Sequence, residues 1–184
     1  MISYTEIDSP VGRLILRTDG TSLTAIYFDG PSPLPGELDQ WTRSADAGPL
    51  PQTARQLEEY FAGTRREFDL PLEMAGTEFQ KRAWQNLLTI PYGETRSYGD
   101  QAKLIGNPNA SRAVGLANGR NPIPIVVPCH RVVGANGSLT GFGGGLERKQ
   151  WLLAHEEYFQ LSGSAAVHSQ PAPSGRSGGS RWRM

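Results

Sequence analysis

Cysteine and histidine are scarce in this sequence. There is a single cysteine, Cys129, and none of the three histidines precedes residue 130. One thiol cannot form an internal disulfide, nor can it supply the several sulfur ligands of a Cys-rich zinc site or an iron–sulfur cluster. We therefore expect a protein that needs no metal or other cofactor and that works in the reducing environment of the cytoplasm.

Long apolar runs are also missing. No window approaches the roughly 18 consecutive apolar residues that mark a membrane-spanning helix. The opening residues, from Met1 to Glu6, carry neither the basic start nor the apolar stretch of a secretory signal. With 184 residues, 38% of them apolar and 20% charged, the chain is long enough to bury a core and is typical of a soluble globular protein.

The formal net charge is zero, but the charges are unevenly distributed. Residues 1–75 hold 6 basic and 12 acidic side chains, whereas residues 76–161 hold 9 basic and 6 acidic ones. Residues 162–184 hold 3 basic side chains and no acidic ones. This asymmetry favours an anionic partner that binds the C-terminal half.

The first part of the chain has the pattern of a small antiparallel sheet followed by a helix. Short alternating segments separated by turns predict three strands, over residues 2–7, 13–18 and 23–28. Residues 29–50 read as loop, and the period then changes to that of a helix from Pro51 to about Gly63. An edge segment and a linker follow, so we place the first domain at residues 1–75.

The second part, residues 76–161, is predicted to be helical. Thr77 and Gln80 form a capping box at the start of one helix, and Ser97 caps another that stops at Gly106. A further helix over residues 110–119 follows a tight turn, and two short helices joined in this way are typical of a helix-turn-helix. A last helix is expected from about residue 146 to residue 159, and the Ser/Gly/Pro-rich segment 162–184 is predicted to be a disordered tail.

The segment most suggestive of chemistry is Pro128-Cys129-His130-Arg131-Val132. A thiol reacts as its thiolate, and an adjacent imidazole can take its proton directly or through a water molecule. A lone cysteine is more often a small buried apolar residue. Here the apolar segment 123–127 precedes it and a glycine-rich loop, residues 137–145, follows. That loop lacks the Lys-Ser/Thr of a phosphate-binding loop and is better suited to forming one wall of a pocket.

This five-residue motif resembles the active-site motif of the O6-alkylguanine-DNA alkyltransferases, also called methylated-DNA–protein-cysteine S-methyltransferases. Further blocks agree with that family in order along the chain: Ser97-Tyr98, Gly106-Asn107-Pro108, Ala113-Val114-Gly115, Asn121-Pro122 and Leu152-Leu153-Ala154-His155-Glu156. The resemblance covers residues 77–158 closely and the N-terminal half more loosely. It implies an α/β (α+β) fold, with an N-terminal ribonuclease-H-like domain and a C-terminal helical domain that carries the helix-turn-helix.

The resemblance also implies a reaction. Cys129 would displace the alkyl group from guanine O6, with His130 as base through a water molecule and Glu156 orienting the imidazole. Tyr98 would donate a proton to the departing guanine, and Asn121 would hold the turn around the cysteine. The alkyl group would stay on the thiol, so each molecule would act once. Whether thymine O4 is also a substrate is left open.

The expected partner is double-stranded DNA that carries O6-alkylguanine, bound by a protein that is a monomer. The second helix of the helix-turn-helix would enter the minor groove, and Arg112 would fill the gap left by a base flipped out of the duplex. The residues expected to contact DNA are Tyr98, Asn107, Ser111, Arg112, Ala113, Gly115 and Arg120. Those expected to line the base pocket are Pro124, Val132, Phe142, Gly143 and Gly144. The zinc site that some relatives hold in the N-terminal domain is not expected, and His155 is assigned no role.

Other classes of protein share parts of this pattern. A non-catalytic damage-recognition relative would keep the helix-turn-helix and the arginine but replace the nucleophile, usually with tryptophan. A cysteine hydrolase would use Cys129 and His130 but would leave the helix-turn-helix and Arg112 unexplained. A transcription factor would explain only the helix-turn-helix.

Overall fold

The computed structural model describes residues 1–30 and 38–162. The predicted tail lies outside the described residues, apart from Ser162, which is the last residue of a helix. Within the described ranges no helix combines the length and the apolarity that crossing a membrane requires.

The N-terminal sheet is the predicted meander with one added strand. Strands β1 (Ser3–Ile7), β2 (Leu14–Thr18) and β3 (Leu23–Phe28) pair antiparallel in that order. Strand β4 (Thr42–Arg43) pairs parallel with β1, at the edge away from β3. The interpretation of residues 29–50 as loop is therefore wrong for residues 38–40, which form a 3-10 turn, for residues 42–43, which form this strand, and for residue 50, where a helix begins. A strand of two residues is too short to show the alternation on which the prediction rested.

Helix α1 (Leu50–Phe61) packs on this sheet through a face that includes Leu50, Leu57 and Tyr60, all fully buried. The predicted stop at Gly63 has a steric basis. Gly63 adopts a φ of 76°, and a Cβ atom there would lie 2.2 Å from the ring of Phe159. Only glycine fits this backbone conformation beside that ring.

Helix α2 (Glu78–Leu87) begins with the predicted capping box, which is confirmed. The Thr77 hydroxyl accepts a hydrogen bond from Gln80 N, and the Gln80 side chain accepts one from Thr77 N. Buried Trp84 donates from its indole nitrogen to the carbonyl oxygen of Ala117 at 2.8 Å. This bond fixes α2 against the second helix of the helix-turn-helix.

The helix-turn-helix is confirmed as helices α3 (Tyr98–Leu104) and α4 (Ser111–Gly119), and Ser97 caps α3 as predicted. Strand β5 (Arg96–Ser97) directly precedes α3. It pairs parallel with β6 (Val132–Val133), which directly follows Cys129, His130 and Arg131 in the chain. Between the two helices, Gln101 and Asn118 exchange buried side-chain hydrogen bonds. The entry to the helix-turn-helix is thus attached directly to the segment that carries Cys129.

Helix α5 (Leu146–Ser162) is the last described element and packs against the Cys129–Arg131 turn. A continuous hydrophobic core runs through both halves of the chain, from Leu14 and Leu57 through Trp84 to Cys129 and Leu152. The sheet, α1, α2 and α5 therefore converge on the reactive segment. The boundary near residue 75 stays a prediction.

Candidate active site and DNA-binding surface

Asn121 shapes the turn that leads to the cysteine. Its amide nitrogen donates to the carbonyl oxygen of Val127 at 2.7 Å and lies 3.1 Å from the Cys129 sulfur. Its amide oxygen accepts from Ile123 N at 3.0 Å. Within this turn Ile125 has a φ of 75°, a conformation that β-branched residues rarely adopt. The side chain of Asn121 is thus placed where we expected it, between the turn and the thiol.

Cys129 lies in a short 3-10 turn, Cys129–Arg131, and is 4% exposed. Burial raises the pKa of its thiol to about 11, against the opposing effects of the Asn121 hydrogen bond and the positive charge of Lys149. The resting side chain is therefore a neutral thiol at neutral pH. It needs a base before it can react as a nucleophile.

Glu156 is fully buried and lies at the centre of a hydrogen-bond network. Its carboxylate accepts hydrogen bonds from the Tyr60 hydroxyl at 2.8 Å, from Gly93 N at 3.0 Å and twice from the Arg131 guanidinium at 2.9 Å. It also lies 2.8 Å from His130 Nε2. Burial alone would raise the pKa of Glu156, but His130 and Arg131 hold it well below its ordinary value. Glu156 is accordingly ionised at neutral pH in the folded protein.

His130 is fully buried. Nε2 faces Glu156, whereas Nδ1 has no hydrogen-bond partner among the described residues. Burial lowers the pKa of the imidazole, although Glu156 opposes this effect. The resting ring is thus neutral, with its proton on Nε2 and a free acceptor at Nδ1.

Lys149 is a second buried cation close to the thiol, and it was not anticipated. Its ammonium group donates to the carbonyl oxygens of Val132 at 2.6 Å and Thr140 at 2.7 Å. Burial lowers its pKa to about 8, with Cys129 acting in the opposite direction. Tyr98, half-buried beside it, donates to the same Thr140 oxygen at 2.6 Å. The glycine-rich loop is held on its first half by these two side chains.

Cys129 opens onto a cavity of about 370 Å³, which we call the Cys129 cavity. Four of the residues predicted to line the base pocket do so, namely Pro124, Phe142, Gly143 and Gly144. Asn121 also lines the cavity, although it was expected only to hold the turn around the cysteine. Val132 does not line it, because its side chain is fully buried and its carbonyl oxygen is bound to Lys149. The end of β3, at Tyr27 and Phe28, completes the wall and was not anticipated.

Comparison with known proteins decides the family. A model of the DNA-binding domain of 6-O-methylguanine DNA methyltransferases matches residues 78–158, and a model of their ribonuclease-like domain matches residues 2–74. The chain is 54% identical over 157 residues to the methylated-DNA–protein-cysteine methyltransferase of Mycobacterium tuberculosis, covering 85% of this chain and 93% of that protein. The chain belongs to the 6-O-methylguanine DNA methyltransferase family. The predicted family is confirmed.

Further members of the 6-O-methylguanine DNA methyltransferase family agree in sequence and in fold. The methylated-DNA–protein-cysteine methyltransferase of Methanosarcina acetivorans is 50% identical over 153 residues, covering 83% of this chain and 97% of that protein. The crystal structure of the M. tuberculosis O6-methylguanine methyltransferase superposes with a TM-score of 0.80 at 52% identity, covering 86% of this chain and 94% of that one. The crystal structure of M. tuberculosis OGT in complex with DNA has a TM-score of 0.79 at 51% identity, covering 85% of this chain and 94% of that one. The predicted fold class is confirmed.

Helix α4, the second helix of the helix-turn-helix, lies within the residues that match the family's DNA-binding domain model. Arg112 and Ala113 are exposed in its first turns, and Arg120 is exposed directly after its end. Ser111 and Gly115 are partly exposed, and Asn107 is exposed in the turn before the helix. The far end of α4 reaches the reactive site, because Asn118 and Gly119 line the Cys129 cavity. One helix thus connects the exposed arginine with the mouth of the cavity.

Besides Lys149, three buried side chains of this methyltransferase were missed by sequence reasoning. Arg131 binds Glu156 and the carbonyl oxygen of Ile90, and Tyr60 reaches Glu156 across 96 residues of sequence. His155 is buried as well, since it hydrogen-bonds Tyr60 O at 2.9 Å and stacks on Trp151. No local pattern reveals contacts between such distant positions. Among the described residues, no cluster of His, Cys, Asp and Glu side chains is arranged to hold a metal ion.

Proposed function

We propose that this chain is a DNA repair protein that transfers the alkyl group of O6-alkylguanine in duplex DNA to its own Cys129. The observation that carries the proposal is the position of the only thiol. It lies at the wall of the Cys129 cavity, beside a buried His–Glu pair, and α4 leads from the exposed Arg112 to the same cavity. A nucleophile, a base and a DNA-binding helix thus meet at one opening.

Activation of the thiol begins with a neutral pair. The Cys129 proton passes through a water molecule to His130 Nδ1, the free acceptor on the ring, and the imidazolium is stabilised by Glu156. Arg131 keeps Glu156 ionised throughout, and the nearby ammonium of Lys149 favours the thiolate. These charges offset the burial that otherwise holds the thiol protonated.

The transfer itself is a direct displacement. The Cys129 sulfur forms a bond to the alkyl carbon, the bond from that carbon to guanine O6 breaks, and its electron pair stays with the base. Tyr98 donates a proton to the departing guanine. To do so, its hydroxyl must give up its hydrogen bond to the carbonyl oxygen of Thr140 and donate to the base instead. A thioether is a poor leaving group, so each protein molecule reacts once.

Binding of the duplex is assigned to the helix-turn-helix. α4 enters the minor groove, Arg112 takes the place of the flipped nucleotide, and the base enters the Cys129 cavity. Small residues at Ala113 and Gly115 let the backbone of α4 approach the groove. We assign supporting DNA contacts to Asn107, Ser111, Arg120 and Tyr98. One chain carries every group named for the reaction, so the protein is proposed to act as a monomer.

The test is a mass measurement. Intact protein is incubated with a duplex containing one O6-methylguanine and digested, and the peptide that contains Cys129 is weighed. We expect one added methyl group on that peptide and unmodified guanine in the DNA. Cys129→Ala should bind the same duplex without reacting. A parent protein that binds the lesion but gains no methyl group would instead be a damage-recognition protein.

A further inference from the structure

Two consecutive cations, Arg148 and Lys149, lie in the first turns of α5. The positive end of the helix dipole disfavours cations at such a position. A run of three glycines, residues 143–145, ends three positions before Arg148, and the backbone of glycine loses more conformational freedom on ordering than that of any other residue. Lys149 holds the first half of the glycine-rich loop through Thr140. The second half requires a different support.

Arg148 supplies this support by hydrogen bonding three separate segments. Nε donates to the carbonyl oxygen of Val11 at 2.7 Å, in the turn between β1 and β2. One terminal nitrogen donates to Gly144 O at 3.0 Å, and the other donates to Asp29 O at the end of β3. The guanidinium carbon also lies 5.0 Å from the centre of the Phe28 ring. A planar group with five donors is suited to such a junction.

The loop is packed tightly where Arg148 holds it. A Cβ atom on Gly144 would lie 2.6 Å from the Phe28 ring and 2.7 Å from the Phe142 ring, so the backbone runs directly against both rings. The centres of the two rings are 5.8 Å apart. Both rings line the Cys129 cavity. These two rings form an aromatic wall of the cavity, and the distance of this wall from Cys129 depends on the position of residue 144.

We propose that Arg148 is a positioning residue that presses the glycine-rich loop onto β3 and thereby makes Phe28 a specificity-determining wall of the base pocket. The proposal rests on the proposed alkyl transfer. A large apolar alkyl group such as benzyl contacts the two rings, whereas a methyl group stays close to the sulfur. Loss of Arg148 therefore impairs transfer of a benzyl group more than transfer of a methyl group.

The experiment compares single-turnover rates on two duplexes of the same sequence, one with O6-methylguanine and one with O6-benzylguanine. For Arg148→Met we expect the benzyl-to-methyl rate ratio to fall about fivefold to tenfold, the scale of losing one or more hydrogen bonds. Arg148→Lys keeps the charge but cannot reach three carbonyl oxygens, so it should behave like Arg148→Met. Arg55→Met, at an exposed arginine of α1, is the matched control and should keep the parent ratio.

Phe28→Leu provides a second route to the same answer, because it removes the aromatic wall and leaves the Arg148 hydrogen bonds in place. It should lower the rate ratio as Arg148→Met does, and the double variant should lower it no further. An unchanged ratio in folded Arg148→Met, or parent behaviour of Arg148→Lys, would overturn the proposal. If the parent itself transfers no alkyl group, the proposed function fails. If the parent transfers it and only the ratio is unmoved, the role of Arg148 alone fails.

Discussion

Replacement of Glu156 by glutamine removes one buried negative charge without changing the shape of the side chain. The parent carboxylate receives donors from Arg131, His130, Tyr60 and Gly93. An amide has a single acceptor oxygen, and Arg131 would remain buried without its anion. We expect the variant to lose about 3–5 kcal/mol of unfolding free energy, the usual cost of removing one partner from a buried ion pair. That is a large share of the roughly 5–15 kcal/mol available to a protein.

The loss has a definite pH dependence. Burial alone would raise the pKa of Glu156, but His130 and Arg131 lower it well below its ordinary value. A carboxylate with a depressed folded pKa stabilises the fold at pH values above its unfolded pKa, about 4.3, and this contribution is lost as the pH falls towards the folded pKa. The difference between parent and variant is therefore largest near neutral pH and narrows below about pH 4.

Urea denaturation followed by circular dichroism, at about pH 7 and about pH 3.5, measures this difference. Glu58→Gln, on the exposed side of α1, is the control and should change the unfolding free energy by no more than about 0.5 kcal/mol. An equal difference at both pH values would refute the reasoning, because the cost would then arise from packing rather than from charge.

The remaining predictions concern the reaction. Glu156→Gln should slow methyl transfer and shift the pH–rate profile of Cys129 to higher pH, since the imidazolium loses its anion; a profile identical to the parent's would place Glu156 outside the network. Lys149→Met should shift the same pH–rate profile to higher pH, because the ammonium lowers the pKa of the Cys129 thiol. Single-turnover rates measured from about pH 6 to about pH 9 would detect this shift. An unchanged profile would limit Lys149 to holding the loop. Arg112→Ala should reduce repair of duplex DNA far more than reaction with free O6-benzylguanine, which needs no flipping; equal losses in the two rate assays would reassign Arg112 to the chemistry or the fold. The methylated protein should melt at a lower temperature than the free protein, because the sulfur lies 3.1 Å from the Asn121 amide nitrogen and a methyl group that crowds this contact would cost about 1–3 kcal/mol. An unchanged or raised melting temperature in calorimetry would contradict this.

Features encoded by neighbouring residues were predictable from the sequence. The three strands of the meander, the Thr77 capping box, the helix-turn-helix and the Cys129 motif each depend on residues a few positions apart. Such signals need no knowledge of the tertiary fold. They were sufficient to identify the family and to single out Cys129 as the candidate nucleophile.

Features created by the tertiary fold were not predictable in the same way. Tyr60 meets Glu156 across 96 residues, and β3 contributes to the Cys129 cavity although it belongs to the N-terminal sheet. Lys149 is a different case, because it lies three and four positions before buried Leu152 and Leu153 on one face of α5. A lysine on an apolar helical face signals a buried cation, so its burial could have been inferred.

The continuous core has a consequence for how this molecule tolerates change over evolutionary time. Side chains from both halves share the core that contains Cys129, so Leu14 and Leu57 belong to the same packed interior as Leu152. Core packing responds to volume changes as small as one methylene group. Drift in one half therefore demands compensation in the other. A chimera that joins residues 1–75 of this chain to the remainder of a distant relative should have a poorly packed core. The two halves are therefore expected to have coevolved and not to be exchangeable modules.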